Sequence, residues 1–145
     1  MPSLFTEDTY EQAIIELFEN MGYDHLYAPD FDRDYTSPIL DSILRDSLVR
    51  INRGLPVEAI DEALAKLKNF DTGSLLQKNM IFMDYLQNGV TVKFFVKGEE
   101  QSSIVRLIDY QNIKNNSFYV VNQFTFLENG NNRRPDIILF INGLP

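Results

Sequence analysis

The chain has 145 residues, 44% of them apolar and 12% aromatic, with a formal net charge of −8. That length and apolar content suffice for one domain with its own core. No apolar run approaches the roughly 20 residues that cross a bilayer, and Met1-Pro2-Ser3-Leu4 lacks the layout of a secretory leader, so a soluble, cytoplasmic protein without membrane partners is expected. The absence of cysteine excludes disulfide frameworks, thiolate metal sites and cysteine nucleophiles together, and an acidic balance argues against gripping nucleic acid by general electrostatics.

In chain order, Thr6 is placed to cap a first helix, with Glu7 and Asp8 at the positive end of its dipole and Tyr10, Ile14, Leu17, Phe18 and Met21 at helical spacing before Gly22. Ser37 and Pro38 predict the start of a second helix that turns Ile39, Ile43, Leu44, Leu48 and Ile51 inward and stops near Gly54. Pro56 opens a third with Val57, Ile60, Leu64 and Leu67 in one stripe. After the break Asp71-Thr72-Gly73-Ser74, a fourth runs from Leu75 to about Gln87 with Gly89 as its C-cap, and Met80, Phe82 and Met83 read as its core face.

From Val90 the period becomes strand-like, over 90–96, 103–110 and 118–127, separated by polar turns at 98–100 and 111–116. Lys93 and Lys97 read as solvent-facing strand residues. The run Ile137-Ile138-Leu139-Phe140-Ile141 is continuously apolar, as in a strand buried on both faces, and Asn142-Gly143 after it is a strong hairpin signal. The expectation is a single domain over 1–145, helical over 1–89 and sheet-forming over 90–145. Its fold class is α+β, or a three-layer α/β/α sandwich if helices cover both sheet faces.

Pro135-Asp136 sets a carboxylate at the mouth of that strand, and the Asn142-Gly143 turn would bring residues about 13 or 14 positions after Asp136 back beside it. The ordinary alternative is a strand-entry Asp pairing with Arg133 or Arg134. Pro29-Asp30 is an internal control: the same dipeptide there leads into Phe31-Asp32-Arg33-Asp34, a loop with no apolar strand behind it. Asp30, Asp32, Asp34 and Asp41 have the spacing of calcium-loop ligands, but Tyr35 stands where that loop requires glycine, so a solvated acidic loop is the better reading. His25, without a second imidazole or a nearby serine, reads as structural. No Gly-x-x-x-x-Gly-Lys-Ser/Thr loop occurs, so no nucleotide site is expected in these residues.

Val105-Arg106-Leu107-Ile108-Asp109-Tyr110, Val120-Val121-Asn122-Gln123-Phe124 and Asn132-Arg133-Arg134-Pro135-Asp136 through Pro145, in that order, resemble the N-terminal nuclease region of the restriction (motor, R) subunit of type I restriction enzymes. The helical part matches more loosely, through Thr6-Glu7-Asp8 and Glu11. The resemblance implies a restriction-endonuclease-like core of the PD-(D/E)xK superfamily, with Asp136 as a metal carboxylate and a Glu-x-Lys on the returning strand supplying a second carboxylate and a cation. That Glu-x-Lys is not among these residues, so the chain is expected to carry part of the site and to be inactive by itself. The implied chemistry is Mg²⁺-dependent hydrolysis of DNA phosphodiesters. An acidic residue on the first helix often assists in this family, which makes Glu11 the candidate by position; a solvated helix face is the plain alternative. Arg133 and Arg134 are candidate phosphate contacts, or else a charged turn. ATP hydrolysis and translocation would belong to motor domains outside this chain, and modification and specificity subunits would be the partners. Two other classes compete: a non-catalytic nuclease-like module that docks a motor or partner subunit, and a related repair or methyl-directed nuclease.

Overall fold

The computed structural model describes residues 6–35, 37–69, 73–128 and 130–145, without the side chains of Phe126, Glu128, Asn132 and Arg133. Residues 71 and 72 of the expected break lie outside the described residues. Along the chain run α1 (Glu7–Asn20), β1 (Asp24–Tyr27), α2 (Asp41–Ile51), α3 (Val57–Lys68), α4 (Leu75–Asn88), β2 (Val90–Val96), β3 (Glu99–Val105), β4 (Phe118–Asn122), β5 (Phe126–Glu128), β6 (Asn131–Arg133) and β7 (Ile137–Ile141), with short 3₁₀ turns at Ala28–Asp30 and Ile113–Asn115. The fold is α+β. Its contacts gather into two compact units, residues 1–41 with 117–145, and residues 42–116.

The second unit is built on the β2–β3 hairpin and α3. Val90, Val92 and Phe94 alternate inward along β2 while Thr91, Lys93 and Phe95 face out, and α3 lays Ala59, Ile60, Ala63, Leu64 and Leu67 on that strand. The small alanines let the helix axis come close to the sheet. Pairing of Val96 with Glu99 closes the hairpin over Lys97 and Gly98, both at positive φ (52° and 81°), the two-residue turn that suits strand twist. Lys97 is therefore a turn residue, and Glu99 and Glu100 belong to β3 rather than to a loop.

The strand expected over 103–110 ends at Val105 for a concrete reason. Val105 pairs with Val90, the first residue of β2, and before it stands Gly89, the α4 cap, where a Cβ would meet Ile104 Cγ2 at 2.7 Å. Beyond that register the main chain is closed by side chains. Buried Asn52 accepts from Arg106 N–H (2.7 Å) and donates to Arg106 O (2.8 Å) and Leu48 O (2.9 Å). Asn116 does the same for Asp109, accepting from its N–H and donating to its carbonyl, both at 2.9 Å. The Asp109 carboxyl is held below its ordinary value by donors from the Asn112 main chain, the Asn115 side chain and the Gln111 main chain.

The fourth helix departs from its expected role. Ser74 and Gln77 form a capping box at its start, but none of its residues is buried. Met80 and Met83, expected as core, are 64% and 52% exposed.

The first unit carries a mixed sheet in the order β1-β4-β7, with β1 parallel and β7 antiparallel to β4. Strand β1 falls inside the stretch expected to be helical, and His25 lies on it; four residues are too few for a period to announce themselves. Helix α1 packs on β1 and β4. Thr6 caps it as expected, and it ends in a Schellman arrangement in which Gly22 (φ 100°) and Tyr23 donate to Glu19 O and Phe18 O. Of its expected face only Phe18 turns inward. Tyr10, Ile14, Leu17 and Met21 are 42–65% exposed, and the inward row is Glu11, Ile15 and Phe18, one position and about 100° further round. Phe18, Tyr23 and Phe118 meet edge to face, with ring centroids 5.2 and 5.6 Å apart.

Strand β7 is half-buried rather than buried on both faces: Phe140 alone is fully covered, because β7 ends the described sheet. The predicted hairpin forms. Asn142 and Gly143 take positive φ (54° and 85°), and Ile141 and Leu144 exchange two main-chain bonds of 2.9 Å. Buried Asn142 accepts from Ser117 N–H at 2.7 Å and donates its own N–H to Ser117 O at 2.8 Å, while Gly143 O accepts from Leu40 N–H at 2.9 Å. Leu40 is thus held in extended chain. Ser37 only closes a local turn onto Ile39 N–H, and α2 begins later than expected, at Asp41.

Candidate functional site

The strand expected over 118–127 is interrupted at Gln123, which adopts φ 56°. A non-glycine residue in the left-handed region is uncommon and calls for a reason. Here the break lets Gln123 continue the β4–β7 ladder with its main chain, donating N–H to Asp136 O at 3.2 Å. Its side chain meanwhile reaches α1, where Nε2 donates to both carboxylate oxygens of Glu11, at 3.0 and 3.3 Å.

Both candidate acidic residues are therefore bonded to Gln123, one through its carboxylate and the other through its main chain. Glu11 is half-buried in the inward row of α1 with its carboxylate on Gln123; Asp136, just before β7, is exposed, with its carbonyl on Gln123. Behind them, Phe124 is buried against Phe140 of β7 (centroids 5.4 Å). The Arg33 guanidinium lies between the rings of Phe124 and Tyr35, 3.8 and 4.4 Å from their centroids, and donates to Thr125 O. Burial lowers the pKa of Arg33, opposed by the nearby Tyr35 and Asp34. Beside Gln123, buried Asn122 bonds His25 Nε2 at 2.7 Å, so His25 is held as a structural partner across the parallel strands.

The acidic groups linked through Gln123 offer oxygen donors: the Glu11 carboxylate, bonded to its side chain, and the exposed carboxylate of Asp136, whose carbonyl its main chain holds. Magnesium takes oxygen ligands, keeps several waters and is commonly held by one or two carboxylates, so these residues suit it. Among the described residues no group of three or more His, Asp or Glu side chains gathers, which applies equally to the Asp30, Asp32 and Asp34 loop. Pro29-Asp30 is a 3₁₀ turn, not a strand mouth.

The family described as Type I restriction enzyme R protein N terminus matches residues 4–145. The chain belongs to this family. It is similar to the type I restriction enzyme HindI endonuclease subunit of Haemophilus influenzae, 32% identical over 98% of the chain and 14% of that subunit. It is 34% identical to the MjaIXP endonuclease subunit of Methanocaldococcus jannaschii over 93% of the chain and 14% of the relative. The chain thus spans about one seventh of the length of these relatives.

Within this R-protein N terminus, the residue that sequence reasoning missed is Gln123. Its available signal is a polar side chain directly after an apolar strand and before a buried Phe, inside the very run that carries the family resemblance. Arg134 is exposed beside Pro135, whereas Arg133 lies on β6 with its side chain outside the described residues. Among the described residues, no helix is long and apolar enough to cross a membrane.

Proposed function

We propose that this chain is part of the endonuclease domain of an ATP-dependent type I site-specific deoxyribonuclease that hydrolyses DNA phosphodiesters with Mg²⁺. The observation that supports the reading is that Gln123, at one end of the β4–β7 ladder, bonds the Glu11 carboxylate with its side chain and the Asp136 carbonyl with its main chain, in a member of this family. Glu11 and Asp136 would hold the ion, which when bound polarises a phosphoryl oxygen and lowers the pKa of an attacking water. Asp136 is suited to that role because it is exposed at a strand mouth whose main chain is fixed by Gln123. Arg134, exposed two positions earlier, would contact a backbone phosphate.

The Asn142-Gly143 turn gives the reading a register. Ile141 faces Leu144, and continuing that antiparallel register sets the position 13 residues after Asp136 opposite it, where the family's Glu-x-Lys would enter. Residues 1–145 alone would then bind Mg²⁺ weakly and leave DNA uncut. ATP hydrolysis and translocation would reside in motor domains, and sequence recognition in a specificity subunit that assembles with the modification subunit. That division fits a chain whose net charge of −8 does not itself favour DNA.

The test is Asp136→Ala in the full-length subunit assembled with its partner subunits. DNA cleavage should fall by roughly 1000-fold or more, with ATP hydrolysis unchanged. Normal cleavage would instead favour the docking-module reading, which has one observation of its own: α4 exposes Leu75, Leu76 and Met80, each by more than 60%.

A further inference from the structure

We propose that Gln123 is the positioning residue of this site: its amide sets the Glu11 carboxylate and its main-chain N–H sets the peptide of Asp136, so one residue holds the side chain of the first acid and the main chain of the second. The inference rests on the nuclease reading above and adds to it a residue that touches neither metal nor DNA. Three observations carry it. The side-chain amide spans the two oxygens of a carboxylate 112 positions away in sequence. An ionised carboxylate offers about four lone-pair sites, and Nε2 takes one on each oxygen, so the remaining two are left for a cation while the carboxylate is kept from rotating. The backbone of Gln123 is left-handed at φ 56° without being glycine, a conformation that persists where surrounding contacts over-determine it and that clusters at functional sites.

The geometry also explains why glutamine serves here and glutamate does not. Gln123 Nε2 is a donor facing a carboxylate, and its Oε1 has no partner among the described residues. A carboxylate in its place would set two like charges side by side and turn Glu11 away. A residue that holds a metal ligand in orientation typically affects metal affinity or activity by about 10- to 100-fold. Loss of the amide should therefore appear as a higher Mg²⁺ requirement rather than as a loss of fold.

The decisive variant is Gln123→Gly. Glycine accepts the left-handed backbone and keeps the N–H to Asp136, so only the amide is removed. In the full-length subunit assembled with its partners, the Mg²⁺ concentration for half-maximal DNA cleavage should rise about tenfold or more, cleavage should recover at high Mg²⁺, and both ATP hydrolysis and the urea unfolding midpoint should match wild type. Gln123→Glu should raise the requirement further, with the same recovery. An unchanged Mg²⁺ requirement in both variants overturns the proposal. So does a loss of cleavage that no Mg²⁺ restores together with a lower urea midpoint, since that assigns Gln123 to the fold alone. Asp136→Ala, run in parallel, separates the two readings. If Asp136→Ala cuts DNA, the nuclease site and the proposal fall together; if it is inactive while Gln123→Gly behaves as wild type, the positioning role alone is wrong.

Discussion

In residues 42–116, Asn52 and Asn116 turn their amides onto main chain and close it where β3 stops; in the other unit, Gln123 turns its amide onto the carboxylate of Glu11. Both place an amide N–H on an acceptor, as polar groups withdrawn wholly or partly from water do. The difference lies in what they leave behind. An asparagine paired to a peptide leaves nothing to react with, whereas a glutamine paired to a carboxylate leaves an oriented acid, and the same residue pairs with the main chain of exposed Asp136. The first arrangement builds a scaffold; the second is the one we propose builds a site.

Two substitutions sharpen this contrast. The larger effect on stability is expected at Asn142, which is fully buried, left-handed at φ 54° and bonded to Ser117 N–H. Asn142→Ala strands that N–H and imposes a left-handed alanine, costing about 3 kcal/mol in urea unfolding; Asn142→Gly, which relieves the backbone, should cost about half as much. Because this turn ends β7, both should also depress DNA cleavage in the assembled enzyme. Asn52→Ala comes next: it leaves the Arg106 peptide without its partner and should cost about 2 kcal/mol, yet leave the Mg²⁺ requirement for cleavage unchanged. A shifted Mg²⁺ requirement in Asn52→Ala would break the division between scaffold and site.

What the sequence made legible was local. The Asn142-Gly143 turn follows from the φ preferences of two residues, the caps at Thr6 and Gly89 from side-chain and backbone chemistry within one turn, and the strand behind Asp136 from five consecutive apolar residues. What it hid depends on contacts between distant segments. Helix α1 has two rows rich in apolar residues, and the richer one faces out, because the sheet it packs on accommodates Glu11 as well as Ile15 and Phe18. The interruption at Gln123 is likewise invisible locally: glutamine has no preference for a left-handed backbone, and the reason for it lies on α1 and at Asp136. The placement of Asp136 before an apolar strand was therefore readable from its flanks and Glu11 was named by its position on the first helix, while the bonds that tie each of them to Gln123 were not legible.

The central claim is that Glu11 and Asp136 hold one divalent cation. Manganese, a paramagnetic ion that accepts the same oxygen ligands, can be titrated into the full-length subunit without nucleotide while free Mn²⁺ is followed by electron paramagnetic resonance. The account predicts a site whose affinity falls by about tenfold or more in Asp136→Asn and in Glu11→Gln, but not in Asn52→Ala. Superimposable curves for wild type and both acid variants would contradict it.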